Sequence, residues 1–367
     1  METLIAIFRE VRDPRDFNAR HDLSAMLWIS LVATLCGART CVDIADFAEA
    51  NEAALAEMVD LPHGPPSHDC FSRLFRLLDP TELDTALRRA IAALRGALSL
   101  GAPTGVVAVD GKSLRRGYER GRAFMPPLMV SVWDAETRLS IASRRAPAGD
   151  EVGATLEVLK SLVLKGYIVT ADALHCHRRM AEAVRATGAH YALGLKANHQ
   201  PLYRAAIAAF AAAEAAGRLA VHDRQEYGHG RRERRRASVI PRPAQGPALP
   251  GLAAFGRIEA ERLLADGERE TQVRYFALSK RLSAARLFDV VRTHWSIENH
   301  LHWALDVVFH EDDARTRKDY APQNLAIIRR IALDILRSHP ADKSIARKMK
   351  LAAWSKPFFL ELFAYMR

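Results

Sequence analysis

Apolar positions in the first hundred residues recur at helical spacing, from Leu23 to Cys36, from Val42 to Met58 and from Phe71 to Leu78, with no strand-like alternation. The pattern predicts a small all-helical N-terminal domain over residues 1–100. Between the second and third segments, Leu61-Pro62-His63-Gly64-Pro65-Pro66 marks a turn, and Ser67, three before Cys70, is placed to cap the helix that follows. Two helices about a tight turn allow a helix-turn-helix, although a plain bundle is the simpler reading. From Gly105 the period changes. Short buried runs at Val106–Val109, Leu128–Trp133 and Leu139–Ser143 read as strands. A helix pattern at Val152–Leu164 leads to a strand at Tyr167–Ala171, a helix from about His177 to Thr187 and a strand at Tyr191–Leu195. Three strands followed by alternating helix and strand describe a mixed α/β sheet.

An Ala-rich helix, a charged segment and a Pro/Gly-rich loop from Pro241 to Gly251 then interrupt the alternation. This stretch, about 197–278, reads as an insertion that closes on a returning strand at Tyr275–Leu278. Ser283 opens a long helical pattern through Phe309, more helix runs from about Pro322 to Ser338, and a basic segment from Lys343 to Lys350 precedes a final short helix.

With 49% hydrophobic and 26% charged residues the chain is a folded globular protein rather than a disordered one. Its net charge of +10 invites an anionic partner. The first hundred residues hold 10 Lys and Arg against 15 Asp and Glu, and the remainder 43 against 28, so the positive field belongs to the later part. Behind Gly228-His229-Gly230 comes a run of Arg231, Arg232, Arg234, Arg235 and Arg236, either a solvated face or a place for a phosphate backbone. The longest uncharged apolar stretch, the 16 residues from Leu23 to Ala38, is shorter than a membrane span, and no basic n-region precedes it. No membrane partner is expected. Four cysteines without a Cys-x-x-Cys pair predict reduced thiols and a cytoplasmic protein. The absence of GxxxxGK[ST] and GxSxG motifs argues against a P-loop ATPase and an α/β-hydrolase.

Three carboxylates are candidates for chemistry. Asp110 follows Val106-Val107-Ala108-Val109 and Asp172 follows Ile168-Val169-Thr170-Ala171, so both are expected at the ends of buried strands. Each alone is as readily a turn or helix cap; a pair in one sheet can converge on Mg²⁺, which takes one or two carboxylates plus phosphate oxygens. The third is Glu298. At about 100° per residue, Val291, His294, Trp295, Leu301, His302 and Leu305 fall within about 60° of it, which predicts a glutamate on a face of bulky neighbours. A lone carboxylate there is costly unless paired or metal-bound. Two aspartates and a glutamate around a metal pair would clamp both the attacking and the leaving oxygen of a phosphoryl displacement.

Taken together, Asp110-Gly111-Lys112-Ser113-Leu114-Arg115, Ile168 to Ala173, Leu195-Lys196-Ala197-Asn198 and His294-Trp295-Ser296-Ile297-Glu298-Asn299, continuing through Leu301-His302-Trp303, Leu305-Asp306-Val307 and Glu311-Asp312, resemble bacterial insertion-sequence DDE transposases. The similar group is the one that includes the H-repeat-associated proteins. Asp13-Pro14-Arg15, His21-Asp22-Leu23 and Pro66-Ser67-His68-Asp69 are similar to that group's amino-terminal associated domain. The resemblance implies a ribonuclease-H-like mixed-sheet core over 101–367, with an inserted subdomain, behind the helical domain of residues 1–100. It implies Asp110, Asp172 and Glu298 as catalytic, metal-binding residues with Mg²⁺ or Mn²⁺, two ions, acting on double-stranded DNA, with a homodimer pairing two ends. Lys112, Arg115, Lys196, His229, Arg231, Arg232, Arg234 and Arg235 are the expected phosphate contacts. The wider class places Tyr, Arg and Lys around its glutamate, where this chain has Val291, His294 and Leu305; Arg292, His294 or Asn299 would take over their DNA contacts.

Overall fold

The computed structural model describes residues 2–97, 105–118, 126–228, 231–263 and 268–364. It divides into two compact units. One comprises Met1–Gly101, Gly111–Ala154 and Glu298–Arg367; the other comprises Ala102–Asp110 and Thr155–Ile297.

The first unit begins with six helices: α1 (Glu2–Arg9), α2 (Leu23–Leu35), α3 (Cys41–Ala50), α4 (Glu52–Ala56), α5 (His68–Leu77) and α6 (Pro80–Ala97). The expected all-helical reading of these residues holds. Asn51 breaks the segment expected as one helix, Val42 to Met58, into α3 and α4. Caps fix the starts: Asp22 accepts the Ala25 N–H, and Ser67 accepts the Cys70 N–H as its position predicts. Every residue of α2 is buried, so it is a core helix without a polar face. Among the described residues no helix is long and apolar enough to cross a membrane. The four cysteines are free thiols.

The strands of the core are β1 (Val106–Ser113), β2 (Leu128–Asp134) and β3 (Leu139–Ala146). β2 and β3 form an antiparallel hairpin with a register irregularity at Val132/Trp133. Next come α7 (Glu151–Lys160), β4 (Ile168–Ala171), α8 (Arg178–Ala186), β5 (His190–Leu195) and α9 (Gln200–Ala215). β4 lies parallel to both β1 and β5. β6 (Val221–Gly228), β7 (Arg231–Pro241), β8 (Ala254–Leu263) and β9 (Arg269–Leu278) follow, all antiparallel, with β9 returning against β5. The charged segment at Arg231 is therefore strand, not loop. It pairs with the strands just before and after it in the chain, β6 and β8, but alternating apolar residues do not mark it.

α10 (Ala284–His294), capped by Ser283, lies on the second unit's sheet, where Leu287, Phe288 and Val290 enter a core with Val106, Ile168, Ala192, Ala254 and Leu278. Gly256 makes this fit possible, since a Cβ there would stand 2.6 Å from Leu287 Cδ2. The long helix expected through Phe309 is interrupted. After α10 the chain winds one π-helical stretch, Ile297–His302, and resumes as α11 (Trp303–Val307). Residues per turn change there, so the 100° count that set Glu298 among bulky neighbours does not hold, and Glu298 is exposed.

α12 (Ala321–Ser338) is the axis of the first unit, buried from Ala321 through Leu336; α13 (Ile345–Trp354) and α14 (Lys356–Glu361) close the chain. Two buried carboxylates bind the helices to β3: Asp334 of α12 accepts the Ser140 N–H at 3.1 Å and Asp84 of α6 accepts the Ser143 N–H at 2.8 Å. Burial pushes them up to about 7 and about 6. An acid with a raised folded-state pKa holds a proton that the unfolded chain has already released, so stability is fullest below pH 4 from this source and falls as pH rises towards 7. Asp334→Asn is expected to flatten the decline between pH 4 and 7 in urea-unfolding midpoints; an unchanged slope would contradict the assignment.

Candidate active site

In the second unit, register sets the two aspartates. Val106, Val107 and Ala108 of β1 pair in parallel with Ile168, Val169 and Thr170 of β4. Two residues further, Asp110 and Asp172 occupy corresponding places, and in a parallel pair corresponding side chains leave the same face. Asp172 keeps extended backbone (φ −64°, ψ 169°) just beyond β4. Its side chain is 71% exposed and faces His294, whose Nε2 lies 3.7 Å from its Oδ1. The opposite ring nitrogen, Nδ1, lies 3.0 Å from the Thr170 hydroxyl, which also reaches the Val107 carbonyl at 3.3 Å. The last residue of α10 is thereby pinned to the strand that delivers Asp172. The His294 contact holds the Asp172 carboxyl below its usual range against the effect of burial, with help from the charges of Lys196 and His175.

The loop after Asp172 is tied to β5. Asn198 donates to the Ala173 carbonyl at 2.7 Å, and Gly194 leaves room for the Ala173 backbone nitrogen, which would lie 3.2 Å from a Cβ. Arg274 of β9 adds positive charge near Asp172 and stacks over Trp295 at 5.0 Å. Thr170, Asn198 and Arg274 were not legible as site residues, because their roles rest on pairings 25 to 124 positions away.

Asp172 lies just past the end of β4, whereas Asp110, expected at a strand end, lies within β1, which runs on to Ser113; an exposed carboxylate beside a second on the neighbouring strand fits a hard divalent cation, whose oxygen ligands include water and phosphate. Among the described residues, no three His, Cys, Asp or Glu side chains are clustered as a metal group. Glu298 belongs to the first unit, exposed at the start of the π-helical stretch, with exposed Asn299 beside it.

The expected phosphate contacts are differently placed. Lys112, in the first unit, is 7% exposed and turned inward, its ammonium 2.7 Å from Asp306, 3.0 Å from Asp312 and 3.4 Å from Glu311. Burial opposes its charge, but these acids outweigh it and hold its pKa above the usual range. Glu311 is fully buried and also meets Arg330 at 3.3 Å. Arg115 is exposed and touches Asp312 at 3.1 Å. In β7, Arg234 pairs with Asp223, Arg235 with Glu233 and Glu226, and Arg236 with Glu261 and Glu259. Arg292 pairs with the same Glu226. Lys196 is exposed. Arg231 and Arg232 open β7, and His229 lies outside the described residues.

Residues 5–90 match the family model described as DDE_Tnp_1-associated, and residues 101–335 match the Transposase DDE domain. The chain belongs to the DDE transposase family. Relatives of this family member span nearly its whole length. YbfL of Escherichia coli (strain K12) is 31% identical over 95% of this chain and 94% of its own. YhhI of the same strain, whose name associates it with the H repeat and with transposases, is 30% identical over the same shares.

Lys112 offers the clearest test of the buried charges. Removing one partner of a buried ion pair leaves the others uncompensated, at a cost of about 3–5 kcal/mol. Lys112→Met is expected to destabilise the protein by about that much in urea unfolding, whereas exposed Arg115→Gln should change stability by less than about 1 kcal/mol. Equal effects would refute the distinction.

Proposed function

We propose that this family member cleaves DNA at the ends of its insertion sequence and joins the freed 3′-hydroxyl to target DNA, two phosphoryl transfers at one site. The observation that carries the reading is the match of the Transposase DDE domain to residues 101–335 together with two aspartates aligned by strand register. Asp110, Asp172 and Glu298 would hold Mg²⁺ or Mn²⁺, two ions in all. When bound, such ions polarise the phosphoryl oxygen and make water or a hydroxyl nucleophilic near neutral pH.

This chain's own residues then act around that pair. His294 orients the Asp172 carboxylate, Asn198 fixes the loop beneath it, and exposed Lys196 offers charge to a phosphate at the same strand ends. Arg115, Arg292 and Asn299 are further exposed contacts, and His229, Arg231 and Arg232 complete the set in this reading. Arg234 and Arg235 would exchange carboxylate partners for phosphate, which costs part of what the new contact gains. The ribonuclease-H-like reading is supported by the element order: three strands, then helix, strand, helix, strand from β1 to β5. The family boundaries, 5–90 and 101–335, support a helical domain over 1–100 ahead of a catalytic domain over 101–367, and the run of antiparallel strands β6 to β9 after α9 supports an insertion at about 197–278. Double-stranded DNA ends and target are the partners in this reading, a homodimer on paired ends the working assembly, and the cytoplasm the place of action.

The decisive experiment is cleavage of a labelled duplex carrying the element's end, with Mg²⁺ or Mn²⁺. Asp172→Asn and Glu298→Ala are expected to abolish metal-dependent nicking while duplex binding persists. A wild-type protein that binds the end but cuts under neither metal would overturn the catalytic reading in favour of DNA binding alone. Binding itself should be steeply salt-dependent, weakening about a thousandfold or more between 50 and 200 mM salt if six or more phosphates are contacted. A flat response in fluorescence anisotropy would refute phosphate gripping.

A further inference from the structure

The first unit contains a cavity of about 460 Å³ that none of the carboxylates lines as a metal site. It opens beside Asn299 and His300, under exposed Trp303, and extends to the turn ahead of α13. Four cations line it: Arg138, Arg337, Lys343 and Lys348, against the single acid Asp342. Among the described residues none of the four makes an ion pair with a carboxylate, unlike the arginines of β7. Arg138 and Lys343 are exposed at the rim.

The two inner cations make their direct contacts to carbonyls and a ring, with the charges of Asp334 and Asp342 acting on Arg337 and Lys348 without direct ion pairs. Lys348 is 5% exposed, and its ammonium donates only to the carbonyls of Leu336, at 3.0 Å, and His339, at 2.6 Å. Arg337 donates to the His300 carbonyl and stacks over Trp133 at 4.8 Å. Its Nη1 is a buried donor without a hydrogen-bond partner, shielded from the open cavity as well as from solvent. Ser344 caps α13 at the same cavity, so the positive end of a ten-residue helix adds to the field.

We infer that this cavity is a phosphate-binding site, and that its occupant is a phosphodiester of bound DNA. Four lining cations against one lining acid, none of the four in a direct ion pair among the described residues, together with a helix start, ask for one chemistry, an oxyanion with several acceptor oxygens. Choosing the DNA backbone as the source rests on the function proposed above. The cavity is continuous with Asn299, the residue next to Glu298, so a strand held there would be gripped close to that residue along the chain. The contact would position DNA without reading bases.

The full-length protein is tested in two arms. Anisotropy of a labelled 30-base-pair duplex is followed from about 50 to 300 mM KCl, and inorganic pyrophosphate is titrated calorimetrically. The Arg138→Glu/Lys343→Glu double variant changes two exposed positions; Arg347→Glu/Lys350→Glu, on exposed α13 positions outside the cavity, makes the same charge change as a control. Circular dichroism melting confirms that both fold. The cavity pair should weaken duplex binding at least tenfold more than the control pair and make the salt dependence shallower by about one to two phosphates. Equal losses in the two pairs, or none, would overturn the site. Loss of pyrophosphate binding with duplex binding unchanged would overturn DNA as the source in favour of a free phosphate anion. Neither arm uses cleavage, so failure of the catalytic reading is seen separately.

Discussion

One ammonium group, that of Lys112, carries the architecture of the first unit's charged interior. It stands two residues after Asp110 on β1 and meets Asp306, Glu311 and Asp312, three acids from the segment that follows the π-helical stretch. Glu311 passes the connection on to Arg330, fully buried in α12. A chain of alternating charges thus ties a strand, a turn and the central helix. Desolvating so many charges is expensive, and each is tolerable only while the others keep their places. Such a network specifies geometry more strongly than it stabilises the fold. It joins the last residues of β1 directly to the turn beyond α11.

The second unit uses gentler means for a similar end. Strand register aligns Asp110 with Asp172, and His294 fastens α10 to β4 through Thr170. Apolar packing of Leu287, Phe288 and Val290 then sets the helix on the sheet. No buried acid is needed, because the backbone ladder already carries the information.

Much of this was legible in the sequence. Buried runs of four or five residues placed β1, β4 and β5 and put Asp172 just past the end of β4, because a strand's period is a local property; the end expected at Asp110 lies instead at Ser113, since the polar residues after it continue the strand. Ser67, Ser283 and the helices α2 and α5 were local in the same way. What escaped was carried by polar residues or by distant ones. β6 and β7 are consecutive strands held by cross-strand ion pairs, Arg234 to Asp223 and Arg235 to Glu226, rather than by apolar alternation, so a polar segment hid them. Lys112 read as a surface cation because its three acids lie about 200 positions on. The exposure of Glu298 depends on a π-helical winding that an even count of 100° per residue does not contain.

The pairing in β7 also changes what a charge count means. A cation beside its carboxylate is a dipole, and its potential falls away faster with distance than that of a lone charge. Arg234, Arg235 and Arg236 therefore contribute little to the field a distant polyanion feels, for all their number. Long-range attraction must come from cations left without acids. Encounter rates should follow those few groups rather than the net charge, so the protein meets its partner more selectively than its isoelectric point would imply.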